Sequence, residues 1–457
     1  MHGIKLKADH FRYRLQLLLC VALVLAPTYE AFGQSNPAGQ VSNAAASAYF
    51  DARNGTSLDE IVAMALARNA DLLAAQQSVT EAQALLRQAG FRPNPGFDVS
   101  VGTGSFLGSL GERQISVGYS HIFELGGKRQ RRVDVSEIGI KLARLQIADR
   151  ERLLRATVKA GYGEALAGIR NLDIAQQQLK LNQQTFQITE ARVTKGEAPA
   201  IDQGLQQVEV GRLASDRTLF ENQVVRALFA LKPQIGMALD QPLKLSGNLR
   251  AIPVTISLDQ ALKKAIASRP DLQAARLQET LGEAEARSAR AEAVPNMIAT
   301  GRYSRTNSAF PQLGLSAAGA PVPLRDQDNI ASVGISINVP ARNRNQGNIA
   351  AAEARTESAR LRGKFLEQVV IQEVRSAYSR YEAAQQSLRI FDQSVLNRSQ
   401  DNLRIIRAAY TAGELRLLDV LTEQRRVIDT QRAYTDVLKE YFESIVELER
   451  AVGAPLP

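Results

Sequence analysis

The chain contains no tryptophan, one cysteine and three histidines, and 5% of its residues are aromatic. Each scarcity removes a class of function. Cys20 lies in an N-terminal apolar stretch, so the rest of the chain has no thiol for a disulfide, a thiolate metal site or a nucleophile. His2 and His10 belong to the same N-terminal region, which leaves His121 alone on a strand pattern. No HExxH, GxSxG or phosphate-loop motif occurs, and Gly102-Thr103-Gly104 is a glycine pair at a strand end. Neither catalysis nor a resident metal or cofactor is expected. Beyond Ala26 no run of about 18 apolar residues exists, so no helix is expected to span a bilayer. With few aromatics, the abundant Ala, Leu, Gln, Glu and Arg point to long helices packed through small side chains.

The formal net charge of +9 does not imply a nucleic-acid partner. Bases alternate with acids in stretches such as Arg150-Glu151-Arg152 and Glu423-Gln424-Arg425-Arg426, which read as solvated helix faces. At the N-terminus, Lys5, Lys7, Arg12 and Arg14 precede the apolar stretch Leu15 to Ala26, and Ala31-Phe32-Gly33 supplies small residues for a cleavage site. Residues 1–33 therefore read as an export signal cut before Gln34. Leu19 stands where a lipoprotein signal needs a small residue, so Cys20 is not expected to carry lipid.

What the chain does have is a second copy of itself. Ser57-Leu58-Asp59, Ala65, Ala67, Asp71-Leu72 and Ala74-Ala75 recur as Ser257-Leu258-Asp259, Ala265, Ala267, Asp271-Leu272 and Ala274-Ala275. Pro93-Asn94 answers Pro295-Asn296, Ser116-Val117-Gly118 answers Ser332-Val333-Gly334, and Gly236 answers Gly453. Lys195-Gly196-Glu197 with Asp202 answers Ala412-Gly413-Glu414 with Asp419. The repeat far exceeds the roughly 20–50 residues of a solenoid unit. It is a duplicated half-molecule, read as an extended segment 34–56, a first repeat 57–250 and a second repeat 251–457. The stretch Asp240–Ile256 is the connector.

Each half predicts helix, two strands, very long helix, turn, helix. Ser57 with Glu60, and Ser257 with Gln260, are capping boxes that open helices running to about Ala89 and Pro295. The strands fall within 96–124 and 296–340. Phe97, Val99 and Val101 alternate with Asp98, Ser100 and Gly102; Ile115, Val117, Tyr119, His121 and Phe123 alternate with Ser116, Gly118, Ser120, Ile122 and Glu124; and Val333, Ile335, Ile337 and Val339 alternate with Ser332, Gly334, Ser336 and Asn338. The strand from Met297 to Ser304 has the weakest pattern. Such segments suit transmembrane β-strands with the apolar set facing lipid and Ser332, Gly334, Ser336 and Asn338 facing a lumen. The alternative is a half-buried soluble sheet. Proline-free helices of roughly 65 residues follow, each a rod of about 100 Å. Val158, Ala165, Leu172, Leu179, Phe186 and Val193 recur every seventh position, a coiled-coil seam. The rods end at turns 195–201 and 412–418.

Four strands cannot close a barrel, and open edges in lipid leave backbone groups unpaired. Other copies must complete it. Two copies give an eight-stranded barrel filled by side chains, whereas three give a lumen. The chain is thus expected to be mainly α, with a membrane β-barrel portion completed by a homotrimer and a long helical barrel on the same axis.

The whole mature chain resembles the TolC-like outer-membrane efflux proteins. The resemblance rests on the duplication, the element order and the paired turns Lys195-Gly196-Glu197-Ala198-Pro199-Ala200-Ile201-Asp202 and Ala412-Gly413-Glu414-Leu415-Arg416-Leu417-Leu418-Asp419. It implies a twelve-stranded trimeric barrel in outer-membrane lipid and a periplasmic tube. That tube would meet a periplasmic adaptor (membrane fusion) protein and an inner-membrane pump of the resistance-nodulation-division type. Phe123-Glu124-Leu125-Gly126-Gly127-Lys128-Arg129 also looks like the cobalt-zinc-cadmium resistance branch. By the same resemblance, Gly196, Glu197, Gly413 and Glu414 form the periplasmic turns. Tyr410 with Asp202 holds the tip shut, Asp419 rings the constriction, and Arg416 is the nearest neutralising partner. Leu415 stands where a linking arginine is usual, and Thr422 replaces a second aspartate. The bland reading of Asp202 and Asp419 is a first-turn acid favoured by the helix dipole. Competing functions are a periplasmic coiled-coil adaptor or scaffold, and the outer-membrane channel of type I protein secretion. An adaptor carries one hairpin, not two copies each with a strand pair. The sequence does not name the cargo.

Overall fold

The two halves open on the same device. In the computed structural model, which describes residues 44–104, 112–250, 255–412 and 414–456, the Ser57 N–H donates to the Glu60 carboxylate at 2.8 Å and Glu60 N–H returns a bond to Ser57 Oγ at 3.4 Å. Ser257 and Gln260 repeat the pair at 3.1 and 3.3 Å. After a short α1 (Ala44–Ser47), these boxes start α2 (Leu58–Arg68) and α6 (Leu258–Ser268). The signal segment, its cleavage site and Cys20 lie outside the described residues.

Sequence periodicity predicts one unbroken helix from Ser57 to about Ala89. The structure breaks it at Asn69 and again at Arg269, both with φ −63°, giving α3 (Ala70–Ala89) and α7 (Pro270–Glu292). Pro270 keeps Arg269 out of the helical region. Asn69 achieves the same break by capping, its Oδ1 accepting the Leu72 N–H at 3.0 Å.

Strands β1 (Gly96–Thr103), β2 (Arg113–Phe123), β3 (Met297–Leu315) and β4 (Pro321–Ile337) form one antiparallel sheet in chain order. The two halves therefore meet along β2 and β3, with Val117 opposite Tyr303. The strand with the weakest pattern proves the longest: β3 spans 19 residues. Its register shifts between Ala309 and Leu313, around Pro311, which has no N–H to give the ladder. Asn338 and Val339 fall just beyond β4.

From each inner hairpin end a rod departs. Helix α4 (Lys128–Thr194) has 67 residues, about 100 Å. The second rod, expected to be uninterrupted, consists of α8 (Gln346–Ile390), a single π-helical turn at Phe391–Val395 and α9 (Leu396–Thr411). Helices α5 (Ala200–Gln234) and α10 (Leu417–Val452) return from the turns. Thus α3 and α7 pair with the sheet-side halves of the rods, and α5 and α10 with the far halves.

The core sits at mid-length, where all these helices meet the connector. Val158, Leu172, Leu245, Val370, Leu448 and Val452 are fully buried there, and Tyr381 stacks on Tyr441 at 6.0 Å. The predicted seam column is buried at Val158, Ala165 and Leu172 but only half-buried at Leu179, Phe186 and Val193. The companion column is small near the core, with Gly168 against Val224, and becomes polar beyond it, at Asn182 and Thr189.

Candidate functional site: the sheet faces and the turn end of the rods

The sheet inverts the burial of a water-soluble one. On β2 the apolar residues Ile115, Val117 and Tyr119 are 42–48% exposed, whereas Ser116 between them is 3% exposed. On β1 and β4 both faces are exposed, but the register aligns their side chains with those of β2. Phe97, Tyr119, Gly301 and Val333 share one row, and Val99, Val117, Tyr303 and Ala331 the next. Val333 and Ile335 are 93% and 71% exposed. The opposite face carries Asp98, Gly118, Arg302 and Ser332 in one row and Ser100, Ser116, Ser304 and the apolar Ile330 in another. Across that face Arg302 pairs with Asp98 at 3.0 Å and donates to Ser116 Oγ at 3.1 Å. Gly118 makes the pairing possible, because a Cβ there would sit 2.2 Å from Asp98 Oδ1. One face thus suits lipid, and the other, with mostly small and polar side chains, suits an aqueous lumen.

The junction between sheet and rod explains the Phe123–Arg129 segment. Gly126 and Gly127 adopt φ of +72° and +71°, and Val294 occupies the space of a Gly126 Cβ. Lys128, 4% exposed, donates to Asn296 Oδ1 at 2.8 Å, and Arg132 holds Glu124 at 2.5 Å. The motif is a bracket between the halves. Among the described residues, no group of three His, Cys, Asp or Glu side chains converges as a metal site.

At the far end both turns close alike. The Glu197 N–H reaches back to Arg192 O at 2.8 Å and the Glu414 N–H to Ala409 O at 3.0 Å. Gly196 has φ +77° with open space around its Cα, and Gly413 lies outside the described residues. Asp202 and Asp419 both occupy the third position of their helices, where the dipole favours an acid. They are nonetheless different. The Arg416 N–H donates to Asp419 Oδ2 at 3.0 Å, a cap, whereas Asp202 follows Pro199, which has no N–H to offer. Asp202, Tyr410 and Asp419 are half-exposed and Arg416 is exposed. Among the described residues, no ion pair joins the Arg416 guanidinium to Asp419, and no hydrogen bond joins Tyr410 to Asp202.

Sequence reasoning missed a feature above the turns. Glu209 and Asp216 on α5 face Arg425 and Arg432 on α10, at 2.7 and 2.8 Å, and Arg212 bridges the two acids at 2.7 and 3.0 Å. Glu423, Gln424 and Glu209 are at most 4% exposed. The Glu423–Arg426 stretch is therefore only in part the solvated face its sequence suggests: Glu423 and Gln424 are buried, Arg425 and Arg426 stay exposed, and Arg425 reaches across to Glu209 of the other half. Arg152, 9% exposed and bonded to the Arg450 carbonyl, departs from that expectation too. Burial pushes the Glu209 carboxyl up, but hydrogen bonds from Arg212 and Arg425 outweigh it and hold it below its ordinary 4.5. The signal was in the sequence: acids and arginines each seven residues apart on the equivalent returning helices.

The model of the family described as outer membrane efflux protein matches twice, over residues 61–251 and 261–454, once in each half. The cobalt-zinc-cadmium resistance protein CzcC of Cupriavidus metallidurans is 23% identical over 403 residues, covering 88% of this chain and 91% of its own length. The outer membrane protein TolC of Vibrio cholerae is 23% identical over 326 residues, covering 70% and 72%. Among solved structures, the CmeC outer membrane channel of Campylobacter jejuni superposes with a TM-score of 0.70 at 17% identity, covering 87% of this chain and 86% of that one. The channel CusC gives 0.68 at 21% identity, covering 87% and 92%.

Proposed function

The chain belongs to the outer membrane efflux protein family, and from that premise we propose that it is the outer-membrane conduit of a tripartite efflux system. Three copies complete a twelve-stranded barrel, and their rods continue as a periplasmic tube that receives cargo from an adaptor and an inner-membrane pump. The carrying observation is the inverted sheet, with Val117 48% and its neighbour Ser116 on the same central strand 3% exposed. A scaffold in water would bury the first and expose the second. Native mass spectrometry in detergent should find three chains, and planar-bilayer recordings should find conductance. A water-soluble monomer without conductance would overturn the reading.

Residues 1–33 are read as a removed signal, 34–56 as an extended segment, and 57–250 and 251–457 as the two repeats. The turns Gly196-Glu197 and Gly413-Glu414 mark the periplasmic tip, where Tyr410 and Asp202 hold closure and Asp419, with Arg416 beside it, lines the constriction. Metal ions are the favoured cargo, because a relative whose match covers 88% of this chain and 91% of its own length is named for cobalt, zinc and cadmium resistance. Minimum inhibitory concentrations of metals, dyes and antibiotics for a deletion strain test this. Raised sensitivity to dyes alone would exclude a metal conduit.

A further inference from the structure

Toward the loop end of the sheet the outward face changes character. From Phe123, Met297 and Ile337 outward to Val117, Tyr303 and Ala331 its rows are apolar but for His121, beside Ala299 and Ile335, and carry no formal charge of Lys, Arg, Asp or Glu. The next two rows bring Arg305, beside Ile115 and Asn329, and Arg113, beside Asn307. Arg325, opposite Ala309, stands one row further out. All three arginines are exposed, and among the described residues none is paired with an acid. The acids of the same hairpin, Asp326 and Asp328, oppose Ser308 and Thr306 on the inward face. Beyond Tyr303, strand alternation thus sorts the charges of the hairpin, bases toward lipid and acids toward the lumen, whereas Arg302 below it faces inward on Asp98.

We propose that Arg113, Arg305 and Arg325 form a binding site for the phosphorylated headgroup of an outer-leaflet glycolipid. The inference rests on the outer-membrane reading of the sheet. The strand ends that join helices lie on the periplasmic side, so the loop end meets the outer leaflet. Tyr303, whose hydroxyl donates to Asn329 Oδ1 at 2.8 Å, sits at the border of the apolar band, where aromatic residues mark the interface. Arg113 and Arg305 are diagonal neighbours, about 7–8 Å apart at the backbone. Arg325 stands further off, so the set outspans one phosphate ester and suits a headgroup carrying two. Planar guanidinium groups bind phosphate oxygens in pairs, and Asn307 and Asn329 add amide donors between them.

The test uses the full-length trimer in detergent and counts bound lipid by native mass spectrometry. The probes are bisphosphorylated lipid A, the same lipid without phosphates, and phosphatidylglycerol. The parent should bind the bisphosphorylated lipid at least about tenfold more tightly than the dephosphorylated one. The R113Q/R305Q/R325Q variant should lose that preference, whereas D326N/D328N, on the inward face, should keep it. Equal binding of both forms of lipid A by the parent overturns the site, whether or not the arginine variant assembles. Phosphatidylglycerol bound as tightly as lipid A overturns the glycolipid assignment. Conductance separates the two levels. A parent that conducts but ignores phosphate refutes the headgroup site alone, whereas a parent that neither trimerises nor conducts refutes the channel.

Discussion

Asn69 and Arg269 stand at equivalent breaks in the two halves, and each donates to the last turn of its own returning helix. Asn69 Nδ2 bonds Gln234 O at 3.0 Å, and Arg269 Nη1 bonds Ala451 O at 3.1 Å. A helix leaves its final carbonyls unpaired, so a buried helix end needs such a donor. Arg269 does more, holding Asp271 and Glu373 at 2.6 Å while 2% exposed. Asn69→Ala should therefore destabilise by about 1–2 kcal/mol. Arg269→Met takes from Glu373 its ion-pair partner and leaves Asp271 only Arg152 at 3.7 Å, and should cost about 2–4 kcal/mol. Thermal unfolding of the detergent-solubilised trimer reads both, and equal losses would contradict the extra role of Arg269.

Arg in place of Ile335 puts a charge in the apolar band and should cost about 2–4 kcal/mol near the midplane. Arg in place of Ser336, one residue along on the other face, should instead change conductance with little loss of trimer. The yield of folded trimer and single-channel current measure the two effects. Equal tolerance at both positions would return the sheet to water.

The Glu209 bridge should respond to pH in one direction. A carboxyl held below its ordinary 4.5 adds stability above that value and loses the contribution as pH falls through its lowered folded pKa. Glu209→Gln should cost about 1–2 kcal/mol at pH 7, discounted because Arg212 and Arg425 can still reach water. The difference between variant and parent should shrink as the pH is taken well below the ordinary carboxylate range. Melting curves across that range decide it, and a gap that widens in acid would refute the ion-pair account.

At Asp419 the cap and the charge can be separated. Asp419→Asn keeps an oxygen for the Arg416 N–H, whereas Asp419→Ala removes it and should cost about 1 kcal/mol. Both remove a carboxylate, so both should weaken cation preference and block by multivalent cations. Tyr410→Phe and Asp202→Asn should raise leak by favouring the open state. Reversal potentials and closed-state current in planar bilayers measure these. If Asp419→Asn leaves selectivity unchanged, Asp419 is a cap and nothing more.

The fold was legible wherever local chemistry decides it. Capping boxes, prolines and glycines are read from neighbours alone, and Ser57, Pro295 and Gly453 act as their residue types require. The break at Asn69 was not legible, because Asn is tolerated inside helices and its reason is a carbonyl on α5. The length of β3 was hidden for the same reason: Tyr303 and Arg305 earn strand geometry from β2 and β4, not from their own pattern. The Arg425–Glu209 bridge escaped notice because each residue alone resembles a solvated charge. Its spacing acquires meaning only once the two returning helices are known to lie side by side.

The inward-turned polarity of the sheet has a consequence for biogenesis. A sheet whose greasy side points outward has nothing of its own chain to hide it, and strands β1 and β4 leave it with two open margins. While the chain crosses the aqueous compartment, that surface invites any other unfinished copy, in the right pairing or the wrong one. Maturation must then depend on concentration and on escort: too few copies stall, too many clump, and a carrier that masks the margins widens the workable range between them.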